Sequence, residues 1–287
     1  MIGSALSAEL EKRGYEVRHL SRRKGTSRYR TFPWNIENGQ VEEAAFRNVD
    51  HIIHLAGAGI ADERWTKRRV SLLIESRAKA ARLLHRKIKE LRIAPKSFIS
   101  AAGIGYYGAH TSDHIFKESD PPGTDTIAQI SMEWEAAVRE WEDTCRTVRV
   151  RTPVVLSANG GALSKLAMPV KWGLGAALGS GRQWMPWIHL DDLVAFYIRA
   201  IEDPSITGAY NVVAGNATNS EMMRTIAKVL RRPYFVPNVP GFALRLVLGD
   251  LSSILLEGSR LDNDRIRSVG LLPRYSDLRA ALEDLLR

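Results

Sequence analysis

An α/β fold, with a parallel sheet covered by helices on both faces and a smaller C-terminal lobe, is what this 287-residue sequence predicts. Three observations carry that expectation. Short apolar runs closed by glycine, "VDHIIHLAG" and "KSFISAAG", alternate with long amphipathic segments, as buried parallel strands do with their crossover helices. A content of 45% hydrophobic and 25% charged residues belongs to a globular chain able to bury a substantial core. Beyond residue 160 the pattern loosens into glycine- and tryptophan-rich sequence, "MPVKWGLGAALGSGRQWMPWIH", which suits a loop-bearing lobe more than a sheet core.

The elements follow in order. Residues 4–13 suit a helix, with Leu6 and Leu10 on one face and Gly14 as its stop. "YEVRHLS" is strand-like and ends in a basic turn, and "VDHIIHLAG" is a strand buried on both faces. A long basic helix comes next, with Leu72, Leu73, Ala80, Leu83, Leu84, Ile88 and Leu91 near helical spacing and its charges on a wet face. "KSFISAAG" is a further strand, residues 127–144 a helix, and "TVRVRTPVVLS" a strand halted by "ANGG". "LDDLVAFYIRAIED" is helical with Asp191 or Asp192 as cap, "GAYNVVA" is a strand, and Thr218 with Glu221 forms a capping box. This order predicts a Rossmann-like doubly wound parallel sheet. Residues 1–232 form the dinucleotide-binding domain, with 160–188 contributing to a substrate lobe, and 233–287 a small C-terminal domain.

Composition narrows the function classes. The net charge of +9 favours phosphate-bearing ligands, but no aromatic stacking platform or nucleic-acid module accompanies it. A small-molecule substrate is therefore expected, and no nucleic acid or membrane partner. No apolar run reaches spanning length, and the charges at Glu9, Glu11, Lys12 and Arg13 are not those of a signal peptide. The single Cys145 fits a reducing cytoplasm and inert helix packing.

In open parallel sheets ligands sit beyond the carboxyl ends of the strands. Gly3, opening the first helix, would let backbone amides approach a pyrophosphate. Ser21, Arg22 and Arg23 occupy the turn that meets the adenine ribose, where arginine accommodates a 2′-phosphate and a carboxylate would hold a hydroxyl. That charge favours NADP over NAD. Leu55, Ala56 and Gly57 offer a small-residue surface for the cofactor, and Pro153 closes the pocket. Ser100, Tyr106 and Tyr107 follow the next strand, while Arg182 and Trp187 suit an anionic or planar substrate.

These residues carry a family resemblance. "IGSAL", "LSRR", "HLAGAGI", "RWT", "ESR", "SAAGIGYYG", "MEWEAA", "GSGRQWMPWIHLDDL" and "GAYNVVA" resemble, in order, the extended branch of the short-chain dehydrogenase/reductases. More narrowly, the chain is similar to an atypical group of nucleoside-diphosphate-sugar epimerase-like proteins, whose small C-terminal domain its ending resembles. The resemblance implies a cofactor contact at Ser76 within "ESR". It also implies a strand and most of a glycine loop before Gly3, between the strands ending at Leu20 and Leu55. A longer natural protein, with the start codon misplaced, is the expectation, because that gap would leave both neighbours with unpaired edges.

One departure bears on chemistry. The family's tyrosine acid/base four residues before a lysine is absent, for Ile127 and Ser131 stand about where the pair would fall. Among replacements Tyr107 comes first, with Ser100 and Glu135 as further catalytic candidates and Tyr106, Glu118 and His189 also weighed. Two readings follow: an NADP-dependent oxidoreductase or epimerase-like enzyme, possessing an unidentified substrate that could be a nucleotide sugar, or a non-catalytic NADP(H) sensor or scaffold.

Overall fold

A computed structural model describes residues 1–22 and 28–287. Helix α1 (Ile2–Lys12) buries Leu6 and Leu10 and stops at Gly14, whose φ of 85° suits a residue without Cβ. Strand β1 (Arg18–Ser21) pairs in parallel with β2 (Arg30–Asn35), which pairs antiparallel with β3 (Gln40–Val41). Next come β4 (His51–His54), the long α2 (Lys67–Glu90) and β5 (Ser97–Gly103). They are followed by β6 (Ile115–Phe116), α3 (Thr126–Arg139), β7 (Arg146–Thr152) and β8 (Val154–Leu156). Helix α4 (Gly161–Lys171), β9 (Trp184–His189), α5 (Leu190–Glu202) and β10 (Gly208–Asn211) complete the central part.

A four-stranded sheet in the order β10-β7-β5-β4 is parallel throughout. Its alternation is plain on β5. Phe98 enters a core with α2 and α3, while Ile99 enters the opposite core with α1 and α5. Helices thus cover both faces, and the fold is the Rossmann-like α/β class that the alternation of segments predicts.

Three details differ from the expected elements. Helix α3 ends at Arg139 rather than 144, and Trp141 turns into the core to stack on Phe98 at 3.8 Å, its indole donating to Ala81 O. Residues 184–189 are no loop. They form the middle strand of a second sheet, β11-β9-β8, where β11 is Gly215–Thr218. Pro186 and the surrounding glycines hide that strand in the sequence, although Trp187 and Ile188 are core residues. On α2, Leu72 is exposed while Arg69 and Arg77 are buried, the reverse of a uniformly wet basic face.

The remaining chain wraps this frame. Helix α6 (Asn219–Val229) starts at the expected Thr218–Glu221 capping box. Short helices α7 (Gly241–Leu248) and α8 (Ser253–Leu256) lead to β12 (Arg260–Leu261), which pairs in parallel with β6. After α9 (Asp264–Ser268), α10 (Leu278–Leu286) packs on α6. The "WIHLDD" segment anchors this ending. His189 Nδ1 caps α5 by accepting from the Asp191 amide, and Asp192, instead of capping, accepts the amides of Arg274 and Tyr275 at 2.8 and 3.1 Å. The Tyr275 ring lies 4.0 Å from that of His189.

Candidate functional site

The expected cofactor residues lie at the start of α1 and after β1, β4 and β7, β1 belonging to the separate sheet β1-β2-β3. Gly3 lies in the first turn of α1, an N-terminus with no side-chain cap and no acidic residue in its first turn. Its amides and dipole therefore favour an anion. Ser21 closes β1 and Arg22 follows it, exposed; Arg23 lies outside the described residues. Leu55, Ala56 and Gly57 leave β4, and Pro153 separates β7 from β8.

The loop after β4 is held by residues of α2. Ser76 Oγ accepts the Ala58 amide at 3.0 Å and donates to Leu73 O at 3.2 Å. Arg77 Nη2 donates to Ala58 O at 2.8 Å, and Arg69 Nη2 to Gly59 O at 2.7 Å. Burial, and then the charge of Arg69, lower the Arg77 pKa to about 10. Neither arginine features in the sequence reading. The signal was available, since 69, 73 and 77 are spaced by four, placing both guanidinium stems on the face of buried Leu73.

The catalytic candidates meet a different environment. Ser100 is fully buried in the middle of β5, and its hydroxyl donates to Ala101 O at 2.7 Å. Glu135, on α3, is buried in a two-pronged ion pair with Arg151 of β7, at 2.7 Å from Nε and 3.0 Å from Nη2. Arg151 Nη1 also donates to the Tyr107 hydroxyl at 2.7 Å, and that hydroxyl donates to Asn211 Oδ1 of β10 at 2.8 Å. Glu118 accepts the Asn211 amide. The result is one buried network tying α3, β7, β10 and the turn after β5. Burial pushes the Tyr107 pKa up to about 12, with Arg151 opposing it. Burial works against the charge of Arg151, but Glu135 more than offsets it and holds the guanidinium above its ordinary range. Tyr107, Ser100 and Glu135, the catalytic candidates of the sequence, each have their polar atoms hydrogen-bonded inside the protein.

Tyr106 stands apart from this network. It is half-buried, the Arg151 guanidinium covers its ring at 3.6 Å from the centroid, and its hydroxyl makes no hydrogen bond among the described residues. Where the family's tyrosine and lysine would fall, Ile127 is buried and Ser131 donates to Ile127 O. Ile127 presses so closely on the turn bearing Tyr106 that a Cβ on Gly105 would meet it at 2.4 Å. Trp187 is core rather than a substrate contact, and Arg182 is exposed. A cavity of about 440 Å³ lies between the start of α3 and the segment 245–257, with Trp65, Thr126 and Arg245 in its walls. None of Tyr106, Arg182 and Trp187 lines it.

Comparison with known proteins then decides the family. The model of the NAD dependent epimerase/dehydratase family matches residues 1–213. This chain belongs to that family. A domain of unknown function, DUF1731, matches residues 239–285. The mouse epimerase family protein SDR39U1 is 34% identical over 289 residues, covering 99% of this chain and 96% of its own. The epimerase family protein MT2273 of Mycobacterium tuberculosis is 33% identical over 285 residues, with 98% and 93% coverage. The crystal structure of human SDR39U1 isoform 2 with NADPH superposes with a TM-score of 0.89 at 32% identity, covering 99% of this chain and 95% of that one. A UDP-glucose 4-epimerase from Thermotoga maritima, at 18% identity and a TM-score of 0.77, shares the fold. Among the described residues no helix is long and apolar enough to cross a membrane.

Proposed function

We propose that this epimerase-family chain is an NADP(H)-dependent oxidoreductase or epimerase-like protein acting on a small molecule, with its cofactor across the ends of β1, β4, β5 and β7. One observation carries the reading. An acid-free, uncapped helix N-terminus at Gly3 lies against Leu55 beyond β4, and the exposed Arg22 follows the end of β1. The NADPH in the structure of the human relative supports the same choice over NAD. Gly3 would receive the pyrophosphate, Ser21 and Arg22 the phosphorylated ribose, and Leu55–Gly57 the body of the dinucleotide. Ser76, with Arg69 and Arg77, keeps the β4 loop in place, and Pro153 closes the far side. When bound, the nicotinamide ring supplies or accepts hydride. A cytoplasmic setting belongs to this reading, resting on the single Cys145, whose thiol burial pushes up to about 11.

Tyr106, whose hydroxyl is uncommitted among the described residues, is the tyrosine that would meet substrate, on the turn after β5 and outside the 440 Å³ cavity between α3 and segment 245–257. Replacing Arg22 by Asp should cost NADPH about tenfold or more in affinity while sparing NADH; unchanged selectivity in a fluorescence titration would remove the reading's electrostatic basis.

The buried commitment of Tyr107, Ser100 and Glu135 favours a second reading, in which the chain senses or scaffolds around NADP(H) without turnover. A screen of sugar nucleotides and small carbonyl compounds with NADPH, run beside Tyr106→Phe, separates the two. Turnover that disappears in the variant while cofactor affinity persists supports catalysis.

A further inference from the structure

Positive charge and apolar exposure coincide at one corner of the molecule. Segments 161–182 and 222–249 contain no aspartate or glutamate. They meet where residues 177–179 run beside Val239. The Val239 amide donates to Ala177 O and the Gly179 amide to Val239 O, each at 2.8 Å. α4 also packs on α6, so the ends of both helices lead into this junction. In these segments Trp172 is 80% exposed, Leu246 78%, Phe235 77% and Phe242 74%, and no residue of α7 is buried. Cations are interleaved with these side chains. Lys171 precedes Trp172, Arg232 lies three residues before Phe235, and Arg245 stands between Phe242 and Leu246 on α7. All three are exposed, and none has an ion-pair partner among the described residues. The basic helix α2 differs, for its Lys79, Arg82 and Lys89 pair with Glu75, Glu140 and Asp143.

We propose that this corner docks on the surface of an anionic lipid bilayer. Trp172, Phe235, Phe242 and Leu246 enter the boundary between headgroups and acyl chains, while Lys171, Arg232 and Arg245 meet anionic headgroups. Charge selects the partner. Cations without carboxylates of their own leave the countercharge to come from outside, and anionic lipids supply it across a whole face. The same layer takes up aromatic and aliphatic side chains. A second copy of this chain answers the face poorly, because a two-fold contact sets the unpaired cations of one copy against those of the other. Single-stranded nucleic acid would stack on the aromatic rings but leave Leu246 exposed. The expectation of no membrane partner rests on the lack of a spanning run, and docking in the interfacial layer requires none.

Sedimentation of the whole chain with lipid vesicles tests this. Vesicles of phosphatidylcholine containing about 30% phosphatidylserine are compared with phosphatidylcholine alone. The mixed vesicles should bind at least about tenfold more strongly, and high salt should weaken that binding. Phe242→Ser with Leu246→Ser should weaken it about tenfold or more. Lys171→Ala with Arg232→Ala should do the same, whereas Lys89→Ala with Lys96→Ala, which removes equal charge elsewhere, should change it less than about threefold. Brominated acyl chains should quench tryptophan emission of the bound protein, and Trp172→Phe should remove that quenching. No binding to the mixed vesicles, equal binding to both compositions, equal losses in the two cation pairs, or quenching untouched by Trp172→Phe would each overturn the proposal. So would a dimer in sedimentation equilibrium that Phe242→Ser with Leu246→Ser dissolves, since the face would then belong to a second copy. The readout needs no cofactor, so it stands or falls separately from the function proposed above.

Discussion

Ile53 and Ile99 face each other across one parallel ladder, between β4 and β5, and enter the same core. Their surroundings nevertheless diverge. Ile99 is wholly buried, with β7 continuing the sheet beyond it, whereas Ile53 is half-buried and lines a cavity of about 630 Å³. The sheet thus has a closed side, running through β5, β7 and β10, and an open side at β4. On the closed side a buried polar network runs through Arg151, Glu135, Tyr107 and Asn211. On the open side His54 buries an Nδ1 that has no hydrogen-bond partner among the described residues. The two isoleucines of one ladder thus differ in packing, Ile99 enclosed and Ile53 beside a cavity.

The largest effect is expected at the centre of the closed side. Arg151→Met leaves the buried Glu135 carboxylate with only Arg149 Nε, at 3.6 Å, and should cost about 3–5 kcal/mol in urea unfolding. A loss below about 1 kcal/mol would mean that the network does not hold these elements together. The facing isoleucines sharpen the contrast. Ile99→Ala should cost about 2–5 kcal/mol, as removal of a packed side chain does, while Ile53→Ala should cost about 1–2 kcal/mol because its site is already partly open. Equal losses would erase the distinction between the two sides.

His54 provides a pH test of the open side. Burial, and then the charge of Arg77, depress its pKa from 6.5 to about 4. Between those values the unfolded chain binds the proton and the folded chain does not, so stability rises with pH across that window. Acidification from pH 6.5 to 4 should remove up to about 3 kcal/mol through this group, and His54→Asn should flatten that part of the profile. His19 and His51, both lowered by burial, contribute in the same direction. A profile that is level over this window, or unaltered in the variant, would contradict the assignment. An effect no larger than that of Ile53→Ala is expected of Tyr107→Phe, which leaves one Arg151 donor and Asn211 Oδ1 short of a partner at a cost of about 1–2 kcal/mol without changing cofactor affinity.

The fold was legible because its signals are local. Apolar runs ending in glycine marked β4 and β5, and the capping box at Thr218 marked α6 without help from the rest of the chain. β9 was not legible, because Pro186 and flanking glycines read as loop until the partners β8 and β11 are in view. The candidate site divided along the same line. Gly3, Arg22 and Leu55–Gly57 follow from helix start and strand ends, whereas the committed state of Tyr107 and Glu135 depends on Arg151 and Asn211, which no sequence spacing links to them. The burial of Arg69 and Arg77 was written in a four-residue period that their charge disguised.

The central claim is that the strand ends of this sheet receive a dinucleotide carrying a 2′-phosphate. Calorimetric titration of the unmodified chain with NADPH and NADH tests it most directly. NADPH should bind at least about tenfold more tightly than NADH, with the advantage shrinking as salt rises; equal affinities, or no heat from either, would contradict it.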